Sequence, residues 1–254
     1  MDSRSGNNWF AIANIAVAGP QDVQAAIDAA RNAFDNGPWS TMSCEQRSEL
    51  ICTLAAKMKE RQKDLARLES LDSGGTIAKT GADAYLAQRQ MNYFGQMAKK
   101  YDGRPREIEG MSRQGRSFNY AIRETMGVCA SIIPWNFPLM MAVWKLGPAL
   151  ATGNTIILKP ASDTPLSAME LARIVDECAF PPGVINIISG PGGSIGETLT
   201  TSALVDKVAF TGSTEVGKAI MAKASGTLKK VTLECGGKSA NIVLHDANWD
   251  IAID

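Results

Sequence analysis

The sequence is poor in histidine and has no excess of either charge. His245 is the single histidine among 254 residues, which disfavours a histidine-based catalytic triad and a metal site with several histidine ligands. Twenty-six lysines and arginines balance twenty-six aspartates and glutamates, so the charge excess of a nucleic-acid-binding protein is missing. No apolar run approaches the roughly 20 residues that span a membrane. We therefore expect a protein that binds no metal, no nucleic acid and no membrane.

Cysteine pairs at short spacing are also lacking. The five cysteines are irregularly spaced and form no CxxC motif, which argues against a disulfide framework and a zinc site. Free cysteines are typical of a reducing compartment. The polar residues 1–10 do not resemble a signal peptide, so we expect a cytoplasmic protein. Apolar residues, in contrast, make up 45% of the chain, which suffices for a substantial core at this length.

Residues 1–101 carry the spacing of amphipathic helices. Apolar side chains recur there at steps of three and four residues, which places them on one helix face. Ser43 and Gln46 have the pattern of a capping box at the start of one helix. An alternating stretch within residues 102–126 favours a short β-hairpin. The predicted helices span residues 21–36, 43–72 and 77–101.

Short β-rich runs alternate with helical stretches in residues 127–254. The runs are continuously apolar, which is typical of parallel strands buried on both faces, and their alternation with helices predicts a doubly wound α/β sheet. One helix has Thr164 as its expected N-cap and Pro165 as its first residue. The predicted strands are 127–134, 154–159, 184–189, 207–211 and 231–234. The predicted helices are 139–150, 165–178 and 215–224, with a short turn around 195–200.

Polar residues and glycines follow several of these runs, where ligands of such sheets bind. Asn136 is suited to donate a hydrogen bond to an oxyanion, Lys159 to hold a ribose or phosphate, and Glu234 to act as a general base. The glycine turn in residues 210–217 opens a helix whose free N–H groups suit a phosphate. Each feature also has an ordinary structural explanation: an N-cap, a solvated lysine, a tight turn and a glutamate paired with a lysine.

Four stretches together resemble the aldehyde dehydrogenase superfamily. They read PWNFPLMMAVWKLGPALATGNTIILKPAS, AFPPGVINIISG, KVAFTGSTEVGKAI and LECGGKSANIVL, and the likeness extends from about Val17 to the C-terminus. The resemblance implies a variant Rossmann domain without the usual glycine fingerprint over residues 127–254. It also implies a helical segment over 1–101 that packs on this domain, and a hairpin of the oligomerisation type over 102–126.

The chemistry implied by the resemblance is aldehyde oxidation with NAD or NADP. A cysteine thiolate attacks the aldehyde, hydride passes to the nicotinamide, and a glutamate-activated water hydrolyses the thioester. Asn136 then corresponds to the oxyanion donor and Glu234 to the general base. The intact enzyme is expected to be a homo-oligomer.

The same resemblance assigns a set of residues to the cofactor. Lys159 would bind the adenosine ribose, and Ser162 stands three residues later, where strongly NAD-preferring members carry glutamate. Because a neutral hydroxyl does not repel a 2′-phosphate, we expect NADP to be tolerated, although the neighbouring Asp163 opposes this. The remaining cofactor residues are Gly212 and Ser213 at the pyrophosphate, with Ile133, Trp135 and Val216 bordering the cofactor.

The reactive cysteine of the family lies in a GQxC-type segment that these 254 residues do not contain. Cys235 directly follows Glu234, and neighbouring strand residues point to opposite faces, so Cys235 is a poor substitute. We expect the chain to be the front half of an aldehyde dehydrogenase, inactive alone. The alternatives are a non-catalytic cofactor-binding module and a CoA-acylating relative, and Glu234 disfavours the latter.

Three residues that follow Asn136 along the chain limit the class of substrate. Phe137, Met141 and Trp144 follow at steps of four and three, so they share a helix face that lines the substrate tunnel in relatives. An apolar lining suits aliphatic or aromatic aldehydes. Members that take succinic semialdehyde carry arginine where Trp144 stands, which argues against a carboxylate-tailed substrate. The alternative is that the three side chains belong to the core.

Overall fold

A computed structural model describes residues 2–4, 11–100, 106–110, 117–121 and 123–252. The N-terminal part consists of an antiparallel strand pair and four helices, followed by a second antiparallel pair. Its elements are β1 (Asp2–Arg4), β2 (Ala11–Asn14), α1 (Pro20–Asp35), α2 (Cys44–Glu60), α3 (Gln62–Ser73), α4 (Ile77–Ala98), β3 (Arg106–Gly110) and β4 (Ser117–Ala121). The pair β3–β4 confirms the predicted hairpin, whereas the division into domains stays a prediction.

Strands and helices alternate through the rest of the described chain. The elements are β5 (Val128–Ile132), α5 (Pro138–Ala151), β6 (Thr155–Lys159), α6 (Leu166–Asp176), β7 (Ile185–Ile187), α7 (Gly192–Thr201), β8 (Lys207–Gly212), α8 (Thr214–Ala224), β9 (Lys230–Cys235) and α9 (Trp249–Ala252). The five strands β5 to β9 form one parallel sheet in the order β7-β6-β5-β8-β9. The predicted doubly wound α/β fold is confirmed.

The two faces of the sheet are buried in separate apolar clusters. Helices α2 to α6 cover one face, and α1, α7 and α8 cover the other. Alternate residues of β5 divide accordingly: Cys129 belongs to the first cluster, and Val128 and Ala130 belong to the second. This division follows from the two-residue period of a strand. As a result, different helices lie on the two sides of the carboxyl edge of the sheet.

The predicted single helix over residues 43–72 is wrong. The chain leaves the helical conformation at Arg61, where φ is −98° and ψ is 14°, and a second helix starts at Gln62. The break lets Met58 and Leu65 both reach the core, and the Arg61 guanidinium pairs with Glu177 beyond α6. The start of α2 is as predicted, because Ser43 and Gln46 form the capping box.

The predicted start of α6 is also wrong. The helix begins at Leu166 rather than Pro165, and the Thr164 hydroxyl donates to the carbonyl of Trp135 instead of capping the helix. The Leu166 N–H donates to Asp72 Oδ2 at 2.8 Å, so a carboxylate from α3 takes the capping role. A second difference concerns α7, a ten-residue helix where only a short turn around 195–200 was expected.

Two buried carboxylates of α3 accept hydrogen bonds from the N-termini of α5 and α6. Glu69 Oε2 accepts from the Leu139 N–H of α5 at 2.9 Å, in parallel with Asp72 at α6. A carboxylate is favourable at the positive end of a helix dipole. Burial nevertheless raises the pKa of Glu69, and the bond from Leu139 only partly opposes this shift.

We expect Glu69→Gln to stabilise the protein relative to wild type as the pH rises. The folded pKa of Glu69 lies above its unfolded value, so the stability that Glu69 contributes is fully present below the unfolded pKa and is lost as the pH rises through the folded pKa. Glutamine keeps an acceptor for Leu139 and does not ionise. The difference in unfolding free energy should therefore move in favour of the variant between about pH 4, below the unfolded pKa, and about pH 8. Urea titrations at both values measure it; a constant difference would contradict the argument.

Candidate active site

The carboxyl ends of the parallel strands lie side by side at one edge of the sheet. Ile132 at the end of β5 is paired with Lys159 of β6 and with Phe210 of β8. Glu234 of β9 is paired with Thr211 of β8. Predicted site residues therefore gather along this edge, at the strand ends and on the loops and helix starts that follow the strands.

A cleft of about 290 Å³ opens between α7 and α8 on the second face. Its lining is mainly apolar, with Ile132 at its base, Gly192 and Gly196 on α7, and Val216 on α8. Val216 was predicted to border a cofactor and is exposed in the cleft. The Ile133 side chain, in contrast, is buried in the cluster on the other face, so only its main chain is available to a ligand on this side.

Two predicted cofactor residues, Lys159 and Ser162, lie at and just after the carboxyl end of β6. Lys159 is only 3% exposed, and its Nζ donates to the carbonyl of Pro160 at 3.0 Å. Burial lowers the pKa of Lys159, and the charge of Asp163 opposes this shift. The Ser162 hydroxyl donates to the carbonyl of Gly190 at 2.9 Å, which ties the loop after β6 to the turn before α7.

The glycine turn after β8 has the geometry of an anion-binding helix start. Ser213 is the N-cap of α8 and accepts a hydrogen bond from the Val216 N–H. A Cβ on Gly212 would lie 2.4 Å from the Phe210 ring, so any larger residue there would have to displace this ring. The first turn of α8, at the positive end of the helix dipole, thus follows directly on the carboxyl end of β8.

Glu234 lies on the opposite face from the α7–α8 cleft. Thr232, two residues earlier in β9, lines a second cleft of about 380 Å³ together with Lys145 of α5. Burial lowers the pKa of Lys145, and the charge of Glu234 opposes this shift. Lys145 directly follows Trp144, and the sequence analysis did not single it out as a candidate.

Cys235 faces away from Glu234. A Cβ on Gly217 of α8 would lie 2.6 Å from the Cys235 sulfur, which puts the thiol on the α8 side. The expected opposite orientation of the two side chains is confirmed. Burial raises the pKa of Cys129 to about 12 and that of Cys178 to about 11, so neither thiol is a ready nucleophile.

The loop from Trp135 to Phe137 joins β5 to α5. Trp135 and Asn136 are exposed, and the carbonyl of Asn136 accepts from Lys79 Nζ at 3.1 Å. The three predicted substrate residues are not all core: Phe137 is 37% and Trp144 45% exposed, whereas Met141 packs partly against the first cluster. The Trp144 indole donates to Gln90 of α4.

The parallel sheet and the residues at its carboxyl edge define an α/β protein of the Rossmann type. One side of this edge carries an apolar cleft, and the other side carries charged residues. A family model described as "Aldehyde dehydrogenase family" matches residues 6–254, and the chain belongs to this family.

Several relatives extend this result. The aldehyde dehydrogenase homologue DhaS of Bacillus subtilis is 52% identical over 91% of this chain and 46% of its own length. The mitochondrial aldehyde dehydrogenase of Homo sapiens is 44% identical over 96% of this chain and 47% of its own. A crystal structure of betaine aldehyde dehydrogenase from Staphylococcus aureus in complex with NAD+ has a TM-score of 0.94 at 37% identity, over 100% of this chain and 50% of that one. The chain thus spans about half the length of the relatives it matches.

Two features are missing from the described residues. No helix among them is long and apolar enough to cross a membrane. Within the same ranges, no group of three or more histidine, cysteine, aspartate or glutamate side chains is arranged to hold a metal ion.

Proposed function

We propose that this chain forms the cofactor-binding part of an NAD(P)-dependent aldehyde dehydrogenase that oxidises aldehydes to carboxylic acids. The observation that carries the proposal is that the carboxyl edge of the sheet has two sides with different residues. An apolar cleft lies on the α7–α8 side, and Glu234 lies on the α5 side. A nucleotide and a water-activating carboxylate can therefore approach the same edge without competing for space. The related structure with bound NAD+ supports the same assignment.

The α7–α8 cleft suits the adenine half of the cofactor. Its apolar walls at Gly196 and Val216 match the faces of a flat aromatic ring. The N-terminus of α8, at Ser213 and Val216, suits the pyrophosphate. Lys159 would exchange its bond to Pro160 for a ribose hydroxyl, with Ser162 beside it, and Trp135 would border the nicotinamide half.

Filling the cleft should weaken cofactor binding by at least about tenfold. Gly196→Leu places an isobutyl group next to Ile132, since a Cβ there lies 3.8 Å from Ile132 Cδ1. Gly81→Leu is the matched control, because Gly81 also lies in a helix and has open space around its Cβ position. Calorimetric titration of both variants and the wild type with NAD+ measures the effect. Equal affinities for all three proteins would contradict the assignment of the cleft.

The catalytic steps are assigned to Asn136 and Glu234. Asn136 would donate its side-chain amide to the oxyanion that forms when a thiolate attacks the aldehyde carbonyl. The bound cofactor would accept the hydride. Glu234 would take a proton from the water that then hydrolyses the thioester, with Lys145 as its nearby countercharge.

The attacking thiolate is inferred to belong to another part of the enzyme. Cys129 and Cys178 are buried, and burial raises the pKa of both thiols. Cys235 lies against α8, away from Glu234, and Cys44 and Cys52 belong to α2. The positions of these five cysteines support a nucleophile that is none of them, as expected from the sequence. Inactivity of this chain alone follows from that inference.

The substrate is proposed to be an aldehyde with an apolar body. Phe137, just before α5, and Met141 and Trp144 on α5 present aromatic and thioether surface close to Asn136. Such surface favours aliphatic or aromatic groups over carboxylate tails. Assembly into a homo-oligomer and a cytoplasmic location stay predictions.

A further inference from the structure

Lys79 connects the helical layer to the loop that carries Asn136. Its Nζ donates to the carbonyl of Asn136 at 3.1 Å and lies 4.0 Å from the centre of the Phe137 ring. The same ammonium is paired with Asp83 Oδ2 at 2.6 Å. One side chain of α4 thus contacts two consecutive loop residues that lie 57 and 58 positions further along the chain.

Asp83 fixes the position of this ammonium. It lies one helical turn after Lys79 and is only 6% exposed, so the carboxylate has little freedom of its own. A lysine side chain is flexible in isolation, but an ion pair in a partly buried helix surface restricts its rotamers. The Lys79 ammonium therefore acts as a fixed donor at the loop.

The loop is also held on its far side. Glu69 Oε2 accepts from the Leu139 N–H, three residues after Asn136. Lys79 donates to a main-chain carbonyl before α5, and Glu69 accepts from a main-chain N–H in the first turn of α5. Both contacts use the main chain, which leaves the exposed side chain of Asn136 available to a ligand.

We propose that Lys79 is a positioning residue for Asn136. Held by Asp83, it fixes the Asn136 carbonyl and the Phe137 ring so that the Asn136 amide points beyond the end of β5 in one orientation. This inference rests on the proposed role of Asn136 as the oxyanion donor. A displaced amide donor would lower the rate, because it could no longer stabilise the negative charge that develops on the oxygen in the transition state.

The rigidity of the Asn136 loop, measured by NMR on this chain, gives the first test. We expect the backbone order parameter of Asn136, from ¹⁵N relaxation, to fall from about 0.85 to below about 0.6 in Lys79→Met. Lys79→Arg should restore it, because a guanidinium also donates to a carbonyl and stacks on a ring. Asp83→Asn should give an intermediate value. Lys63→Met, on the exposed surface of α3, is the matched control and should leave the loop unchanged.

Kinetics of the complete enzyme that contains this sequence give the second test. Lys79→Met should lower kcat about tenfold with KM for the aldehyde nearly unchanged, since the lost contact acts in the transition state. Lys79→Arg should recover most of the rate. A merely structural role would lower thermal stability without this split between kcat and KM.

The inference and the proposed function fail in different ways. If Lys79→Met leaves the order parameter of Asn136 at its wild-type value, or if Lys63→Met lowers it equally, the positioning role is wrong. The cofactor assignment would still stand if the same samples bind NAD+. If the wild type binds neither NAD+ nor NADP+ in calorimetric titration, the proposed function fails, whatever the loop does.

Discussion

Replacing Glu234 by glutamine is expected to slow thioester hydrolysis by on the order of 10²–10⁴-fold while hydride transfer keeps its rate. Glutamine has the same shape but takes no proton from water. The first turnover requires only the thiolate, the oxyanion donor and the cofactor. Rapid mixing of the complete enzyme with aldehyde and NAD+ should therefore give a burst of reduced nicotinamide followed by slow turnover.

A distant glutamate provides the control for this experiment. Glu49 is exposed on α2, and Glu49→Gln removes the same charge far from the sheet edge, so its burst and turnover should match the wild type. If the burst itself disappeared in Glu234→Gln while the thiol still reacted with an alkylating reagent, Glu234 would act before hydride transfer. The assignment of Glu234 to deacylation would then be wrong.

Introducing a carboxylate at Ser162 should change the choice of cofactor by about a hundredfold. Ser162→Glu places a negative charge beside the expected 2′ position, where it accepts from the hydroxyl of NAD and repels the phosphate of NADP. Like charges in a desolvated contact cost several kcal/mol, and each ~1.4 kcal/mol corresponds to a tenfold change in affinity. Wild-type affinities for the two cofactors should differ far less.

Ser162→Ala separates the charge from the lost hydrogen bond. The wild-type hydroxyl donates to Gly190, and alanine removes this bond without adding charge. We expect Ser162→Ala to change both affinities by similar factors. Paired titrations of the three proteins with NAD+ and NADP+ decide the matter. An unchanged ratio in Ser162→Glu would mean that residue 162 is remote from the ribose.

The sheet and the edge residues could be predicted because their signals are local. Continuous apolar runs identified the strands, and each polar candidate follows a run directly along the chain. Parallel pairing then brings Lys159 and Glu234 to one edge without further information. The orientation of Cys235 likewise follows from the two-residue period of a strand.

Contacts between layers could not be predicted, because they join residues that are far apart in sequence. Asp72 caps α6 from a distance of 94 residues, and Lys79 reaches Asn136 across 57. The break at Arg61 has the same origin: no proline or glycine marks it, and its partner Glu177 lies beyond α6. The expected short turn around 195–200 is instead part of the ten-residue helix α7, whose glycines Gly192 and Gly196 line the cleft.

The most direct test of the account is a crystal structure of this chain with NAD+. We expect adenine between α7 and α8 against Val216, the pyrophosphate at the N-terminus of α8, and the nicotinamide half directed toward Asn136 and Glu234. A nucleotide bound in the second cleft, beside Lys145, or a crystal in which the α7–α8 cleft stays empty at saturating NAD+, would contradict it.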